Sequence, residues 1–110
     1  MTSLKAKSER FGLSLKAWGD LAVIFKNFPT IERVVLFGSR AKGTHKPGSD
    51  VDLVIDGAEV NTSTLLRLQS ALENSDLPYF FDVLQLKKVD SLELLEHIRE
   101  FGVVIYDGRS

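Results

Sequence analysis

The sequence predicts an α/β fold in which a small mixed sheet carries helices packed on one face. Short apolar runs rich in β-branched or aromatic residues predict strands, and longer segments with apolar residues at helical spacing predict helices. The two kinds of segment alternate along the chain, which is typical of a layered domain of sheet and helices. A length of 110 residues fits one domain, residues 1–110, with one hydrophobic core.

In the first half of the chain, polar residues 1–12 form a loose lead-in or the fraying start of a helix. Apolar residues at helical spacing follow, and Pro29 ends that helix. The short segment 39–43 has room for only one or two helical turns. The predicted elements are a helix at about Ser14–Phe28, a strand at about Ile31–Phe37 and a strand at about Val51–Ile55.

In the second half, two helices and two strands alternate again. Asp90 and Glu93 resemble a capping box at the start of the last helix. We expect His97, inside this helix, to face solvent or a partner. The predicted elements are a helix at about Thr62–Asn74, a strand at Tyr79–Leu86, a helix at about Asp90–Phe101 with an inner stripe of Leu92, Leu95, Ile98 and Phe101, and a strand at Val103–Tyr106.

The overall composition argues against several functions. The net charge of −1 lacks the basic excess of a general nucleic-acid surface. No apolar run approaches the roughly 20 residues that cross a membrane, and no signal peptide pattern stands at the start. The absence of cysteine excludes disulfides and thiol chemistry and fits a reducing compartment, so we expect a cytoplasmic protein.

Two aspartates stand at the start of the second strand. Side chains two apart on a strand project from the same face, roughly 6.6 Å apart along the chain, so Asp50 and Asp52 should lie side by side. Neighbouring carboxylates raise one another's pKa unless a cation lies between them. Mg²⁺ suits such a pair and commonly also takes oxygens from nucleotide phosphates.

A second motif lies where the first strand ends. Gly38 lets the backbone approach a ligand, and a helix starting at Ser39 would offer free N–H groups to phosphates. Arg40 and Lys42 add positive charge beside this turn. Together with the aspartates, the turn predicts a site for a metal-bound nucleoside triphosphate.

The pattern Gly38-Ser39, ten residues, Asp50, one residue, Asp52 resembles the signature of the DNA polymerase β-type nucleotidyltransferases. Its fuller form, GSRAKG followed by SDVDL, is similar to the minimal nucleotidyltransferase (MNT, MntA-like) subfamily. The resemblance implies the family's palm over about residues 14–106. Asp82 interrupts the apolar run FFDVLQL, where a buried and unpaired carboxylate is unfavourable. It matches the family's third metal-binding carboxylate; the alternative is an aspartate on the solvent face of an edge strand.

The reaction implied by this resemblance is transfer of a nucleotidyl group from a nucleoside triphosphate, with release of pyrophosphate. Two Mg²⁺ ions about 3.5 to 4 Å apart would be held by Asp50 and Asp52. Asp82 would complete one ion site and could accept the proton of the attacking hydroxyl. Ser39, nearby backbone N–H groups and Lys42 would hold the β- and γ-phosphates. Arg40 would either join them or tie the short helix to the following loop.

The sequence leaves no room for a further domain that grips the acceptor, so we expect a second protein to complete the site. The resemblance implies a small helical HEPN toxin as partner in a homo- or hetero-oligomer, with this protein as the antitoxin and AMP from ATP as the transferred group. One alternative is a binding module that masks its partner without catalysis. Another is a small-molecule enzyme similar to aminoglycoside adenylyltransferases, which the short chain disfavours.

Overall fold

The computed structural model describes residues 10–109, and within them helices and strands alternate as the sequence predicts. One-turn 3-10 helices lie at Arg10–Gly12 and Leu86–Lys88. Residues 1–9 of the predicted lead-in lie outside the described residues, as does residue 110 of the predicted domain. The helices are α1 (Leu15–Lys26), α2 (Gly38–Lys42), α3 (Thr62–Glu73) and α4 (Leu92–Phe101), and the strands are β1 (Arg33–Phe37), β2 (Val51–Asp56), β3 (Phe81–Gln85) and β4 (Val103–Asp107).

Side-chain caps explain where the three longer helices begin. The Ser14 side chain accepts a hydrogen bond from the first turn of α1, and Asn61 forms a capping box with Thr64 at the start of α3. At α4 the cap is Ser91, whose Oγ accepts from the third residue of the helix at 3.2 Å. The predicted capping box at Asp90 is therefore wrong by one residue. Over residues 10–109, no helix has the length and apolar character needed to cross a membrane.

The four strands form one mixed sheet in the order β3-β2-β1-β4. Strand β1 pairs antiparallel with both β2 and β4, whereas β2 pairs parallel with β3. The parallel pair needs a long connection, and α3 with its flanking loops provides it. The predicted α/β class with a mixed sheet is thus confirmed.

Successive side chains of each strand point to opposite faces of the sheet, and this divides the core into two layers. The larger layer contains Val34, Leu36, Leu53 and Ile55, all on one face of the sheet. Helices α1 and α3 cover this face with buried side chains that include Leu21, Phe25, Leu68 and Leu72. Burial of these apolar side chains is the main source of stability of the domain.

Helix α4 covers part of the opposite face. Val35, Phe37 and Val54 are buried there, and Leu94 and Ile98 of α4 pack against them. The prediction that the helices pack on one face therefore does not hold for α4. This result matters for function because Asp52, two positions before Val54 on β2, belongs to the same face.

The side of α4 that meets the sheet also differs from the prediction. Leu92 was expected on the inner stripe, but its side chain is 70% exposed. In an α-helix, a step of three residues falls about 60° short of a full turn. The predicted stripe of Leu92, Leu95, Ile98 and Phe101 therefore winds around the helix instead of staying on one face. The spacing of Leu94, His97, Ile98 and Phe101 keeps one face, and it places His97 on the sheet side of α4.

Candidate active site

Two aspartates face each other across the parallel strands. Asp52 of β2 is directly paired with Asp82 of β3. Residues paired in register project from the same face, and adjacent strands lie about 4.8 Å apart, so both carboxylates lie on the face that α4 partly covers. Asp82 is exposed and Asp52 is half-buried. The sequence prediction that Asp82 joins the aspartates of the second strand therefore agrees with the pairing.

The carboxyl of Asp52 is affected by burial and by both of the other acids. Burial raises the pKa of its carboxyl, and repulsion from Asp82 and then from Asp50 raises that pKa further. The imidazolium form of His97 and the guanidinium of Arg40 oppose the shift, because positive charge near Asp52 favours its ionised form. Asp50 is exposed and immediately precedes β2. Both of the other predicted acids therefore act on the carboxyl of Asp52.

The acids suit an Mg²⁺ ion that arrives bound to a nucleotide, and not an ion whose ligands all come from the protein. Across residues 10–109, no three His, Cys, Asp or Glu side chains are close enough together to form such a site. Mg²⁺ usually retains waters and is held by one or two carboxylates together with substrate phosphates. A divalent cation would relieve the repulsion at Asp52, so Asp52 with one acidic neighbour fits an ion that also binds the phosphates. The three-acid metal site stays a prediction.

The glycine-serine turn lies against Asp52. Gly38 has φ +76°, a backbone conformation that favours glycine, and an added Cβ would lie 2.9 Å from Asp52 Cγ. Ser39 follows in the first turn of α2 and is partly exposed. The absence of a side chain at Gly38 therefore brings the turn and the carboxylate together at one end of the sheet.

The structure buries Arg40 inside the protein. Its side chain is 3% exposed. Nε and Nη2 donate to the carbonyl of Ser49 at 3.2 and 2.8 Å, and Nη1 donates to the carbonyl of Phe11 at 2.8 Å. The guanidinium also lies 5.2 Å from the centre of the Tyr79 ring. This geometry favours the alternative role, in which Arg40 ties α2 to the loop that carries Asp50, over nucleotide binding.

We expect Arg40→Met to destabilise the protein because two backbone carbonyls would lose their donors. The expected loss is about 2 kcal/mol of unfolding free energy, which corresponds to a fall of about 10 °C in Tm for a domain of this size. Thermal unfolding followed by circular dichroism measures it. Arg99→Met, at an exposed position of α4, removes the same charge and serves as the control. Equal Tm values for the two variants would contradict a tying role for Arg40.

Lys42 is exposed at the end of α2. Its Nζ lies 5.2 Å from the centre of the Phe101 ring, close to the end of α4. A cation over an aromatic face contributes about 0.5 to 1 kcal/mol at an exposed site, which leaves the side chain free to move toward a bound anion. Nucleotide binding by Lys42 stays a prediction.

The sequence analysis expected His97 to face solvent or a partner, but the structure places its side chain against the glycine-serine turn. Its Nε2 accepts a hydrogen bond from the backbone N–H of Gly38 at 2.9 Å. With Phe37, Gly38 and residues of the first half of α4, it lines an open cleft of about 400 Å³ beside the turn. The helical stripe Leu94, His97, Ile98 is the sequence signal that could have placed it against the sheet.

The mixed sheet with paired aspartates beside a glycine-serine turn defines the class of palm-type nucleotidyltransferase domains. The sequence matches the family described as Polymerase beta, Nucleotidyltransferase over residues 20–110. This chain therefore belongs to that family. No curated protein matches the sequence.

Solved structures with the same fold include proteins of toxin–antitoxin pairs. A toxin–antitoxin complex with AMP-PNP matches with a TM-score of 0.67 and 22% identity, over 82% of this chain and 73% of that chain. A complex of the tri-AMPylated HEPN toxin of Shewanella oneidensis with its MNT antitoxin matches with a TM-score of 0.54 and 19% identity, over 82% and 69%. A putative nucleotidyltransferase from Sulfolobus solfataricus matches with a TM-score of 0.55 and 18% identity, over 97% and 88%.

Proposed function

We propose that this protein is an Mg²⁺-dependent nucleotidyltransferase that transfers AMP from ATP to a protein partner. The partner is a small helical toxin of the HEPN type, and this protein is its antitoxin. The observation that carries the proposal is the direct pairing of Asp52 with Asp82, on one face of the sheet, beside Gly38. Nucleotidyl transfer needs carboxylates and a phosphate-binding turn at one place, and these residues supply both.

Each predicted site residue has a separate role in the proposed transfer. Asp50 and Asp52 would hold Mg²⁺, which when bound neutralises charge on the phosphates. Ser39 and the N–H groups of its turn would hold the β- and γ-phosphates, with Lys42 close by. The acceptor oxygen attacks the α-phosphorus, the bond from that phosphorus to the pyrophosphate oxygen breaks, and Asp82 takes the acceptor's proton.

A protein acceptor is supported by the openness of the acidic edge. Asp50 and Asp82 are both exposed, so a hydroxyl on another macromolecule could reach the carboxylate assigned as base. The fold is shared with an antitoxin whose HEPN toxin is AMPylated and with a complex that contains AMP-PNP. These two likenesses support ATP as donor and a HEPN-type protein as acceptor.

We expect the purified protein to label a purified HEPN-type partner protein when supplied with ATP labelled at the α-phosphate. Label should appear on the partner with Mg²⁺ and disappear with a chelator, because the acids alone repel the phosphates. The α,β-methylene analogue of ATP, whose scissile bond is replaced, serves as the negative control. GTP, CTP and UTP supplied in the same way test the choice of nucleotide. Absence of label with all four nucleotides would overturn the proposal.

The same assay separates the two alternatives. If the protein neutralises its partner without transferring label, it acts by masking. If label passes to an aminoglycoside and not to the partner, the acceptor is a small molecule. Neutralisation that depends on both Mg²⁺ and ATP is the outcome expected for the proposed function.

A further inference from the structure

His97 connects the last helix of the described residues to the glycine-serine turn, 59 positions earlier in the chain. Its ring is half-buried between two aromatic rings, with centroid distances of 6.2 Å to Phe37 and 5.4 Å to Phe101. These contacts fix the imidazole plane. Nε2 is thereby held 2.9 Å from the Gly38 nitrogen. Because Nε2 accepts this hydrogen bond, the proton of the neutral ring is on Nδ1.

The hydrogen bond replaces a missing helix cap. The first N–H groups of a helix have no partner within it and are commonly satisfied by a side chain at the preceding position. For α2 the preceding position is Phe37, the last residue of β1, and its side chain can make no such bond. His97 supplies the acceptor from a different element. The start of α2 is therefore fixed by tertiary structure rather than by its own sequence.

The position of Gly38 controls both parts of the site. An added Cβ would contact the carboxyl group of Asp52, and the next residue, Ser39, is in the turn proposed to hold the phosphates. A displacement of Gly38 would change the distance from the turn to the carboxylate. Misplacement of reacting groups by about 1 Å can lower a rate about 100-fold.

We propose that His97 is a positioning residue for nucleotidyl transfer. By accepting the Gly38 N–H, it holds the glycine-serine turn at a fixed distance from Asp52, so that phosphate donors and carboxylate act on one bound nucleotide. This role deepens the proposed function and rests on it. It does not require that His97 contact the nucleotide.

A pair of substitutions tests this role. Gln at position 97 can place an amide oxygen near the present Nε2, whereas Leu fills a similar space without an acceptor. For His97→Leu we expect kcat to fall about 100-fold while KM for ATP changes much less, because the geometry is altered more than the binding groups. His97→Gln should recover most of the lost kcat. Wild-type kcat in His97→Leu, or equal loss in both variants, would overturn the proposal.

A second measurement separates this role from the proposed function. Hydrogen exchange followed by NMR reports the Gly38 amide directly and needs neither nucleotide nor partner. We expect the amide to be protected in the wild type and in His97→Gln and to exchange faster in His97→Leu, with Tm recorded to exclude global unfolding. If the wild type transfers no nucleotide, the proposed function fails. The positioning role is then judged on this amide and on the Kd of Mg–ATP, and unchanged exchange in His97→Leu overturns it.

Discussion

Substitution of Asp52 by asparagine should reduce nucleotidyl transfer at least about 100-fold, the order of loss found when one charge-stabilising group is removed from an active site. Asp52 is paired with Asp82 across the parallel strands, and its carboxyl lies against Gly38, so the proposed site depends on its charge. Asparagine keeps the shape of the side chain and removes its charge. Label transferred from ATP to the partner, measured as kcat and KM, checks the expectation.

The same substitution should make the nucleotide-free protein more stable at neutral pH. Burial and the two neighbouring acids raise the pKa of Asp52 above its ordinary value of 3.8, so its ionised form is unfavourable in the folded state. A raised carboxyl pKa lowers stability at any pH above the folded-state pKa. That penalty disappears as pH falls from the folded-state pKa toward 3.8. Because water screens the partly exposed carboxylate, we expect Asp52→Asn to raise Tm by only a few degrees at pH 7, and by less at lower pH.

Asp76→Asn is the control, because it removes the same charge from an exposed aspartate outside the group of Asp50, Asp52 and Asp82. The charge of Asp76 acts on Lys16 of α1. It should leave both transfer and Tm close to the wild type. A fall in Tm for Asp52→Asn at pH 7 would contradict the repulsion at the site. Retained transfer in that variant would contradict the catalytic assignment.

The strands that carry the motifs could be predicted from sequence because their signals are local. The alternation of Val51, Asp52 and Leu53 predicted the start of β2 and the face of each side chain, and the strand ends at Asp56, one residue later than expected. A carboxylate inside the apolar run of β3 made Asp82 a candidate, and the family resemblance gave it a role as a metal ligand. Its direct pairing with Asp52 could not be read in the same way, because register depends on α3 and the loops between the strands.

The placement of α4, His97 and Arg40 could not be predicted, because it depends on contacts between distant segments of the chain. An apolar stripe shows that a helix buries one side, but not which face of the sheet it covers, so α4 was expected away from the acids. The bond from the Gly38 nitrogen to His97 joins residues 59 apart, and the bond from Arg40 to the Phe11 carbonyl joins residues 29 apart. Neither bond leaves a local signal in the sequence. A buried arginine and an exposed one also look alike in a polar segment, which explains why the sequence left both roles of Arg40 open.

Gly38→Ala should affect both stability and transfer strongly. The residue has φ +76°, and a left-handed conformation costs an alanine about 1 kcal/mol. The new methyl group would also lie 2.9 Å from Asp52 Cγ and 3.2 Å from its Cβ, so either the carboxylate or the turn has to move. With overpacking included, we expect a loss of about 3 kcal/mol of unfolding free energy and a fall of at least about 100-fold in kcat. Denaturant unfolding and the labelled-ATP assay measure the two effects.

Gly43→Ala is the control for this substitution because Gly43 stands at the other end of α2 with φ +83° and has no atom within 4 Å of an added Cβ. It shares the backbone strain without the clash, so it should lose about 1 kcal/mol and keep most of its activity. The difference between the two variants isolates the contact with Asp52. In an Asp52→Ala background the stability loss from Gly38→Ala should shrink, because the carboxylate that the methyl group meets is gone. An equal loss in both backgrounds would show that Gly38 is required for its conformation alone and not for its approach to Asp52.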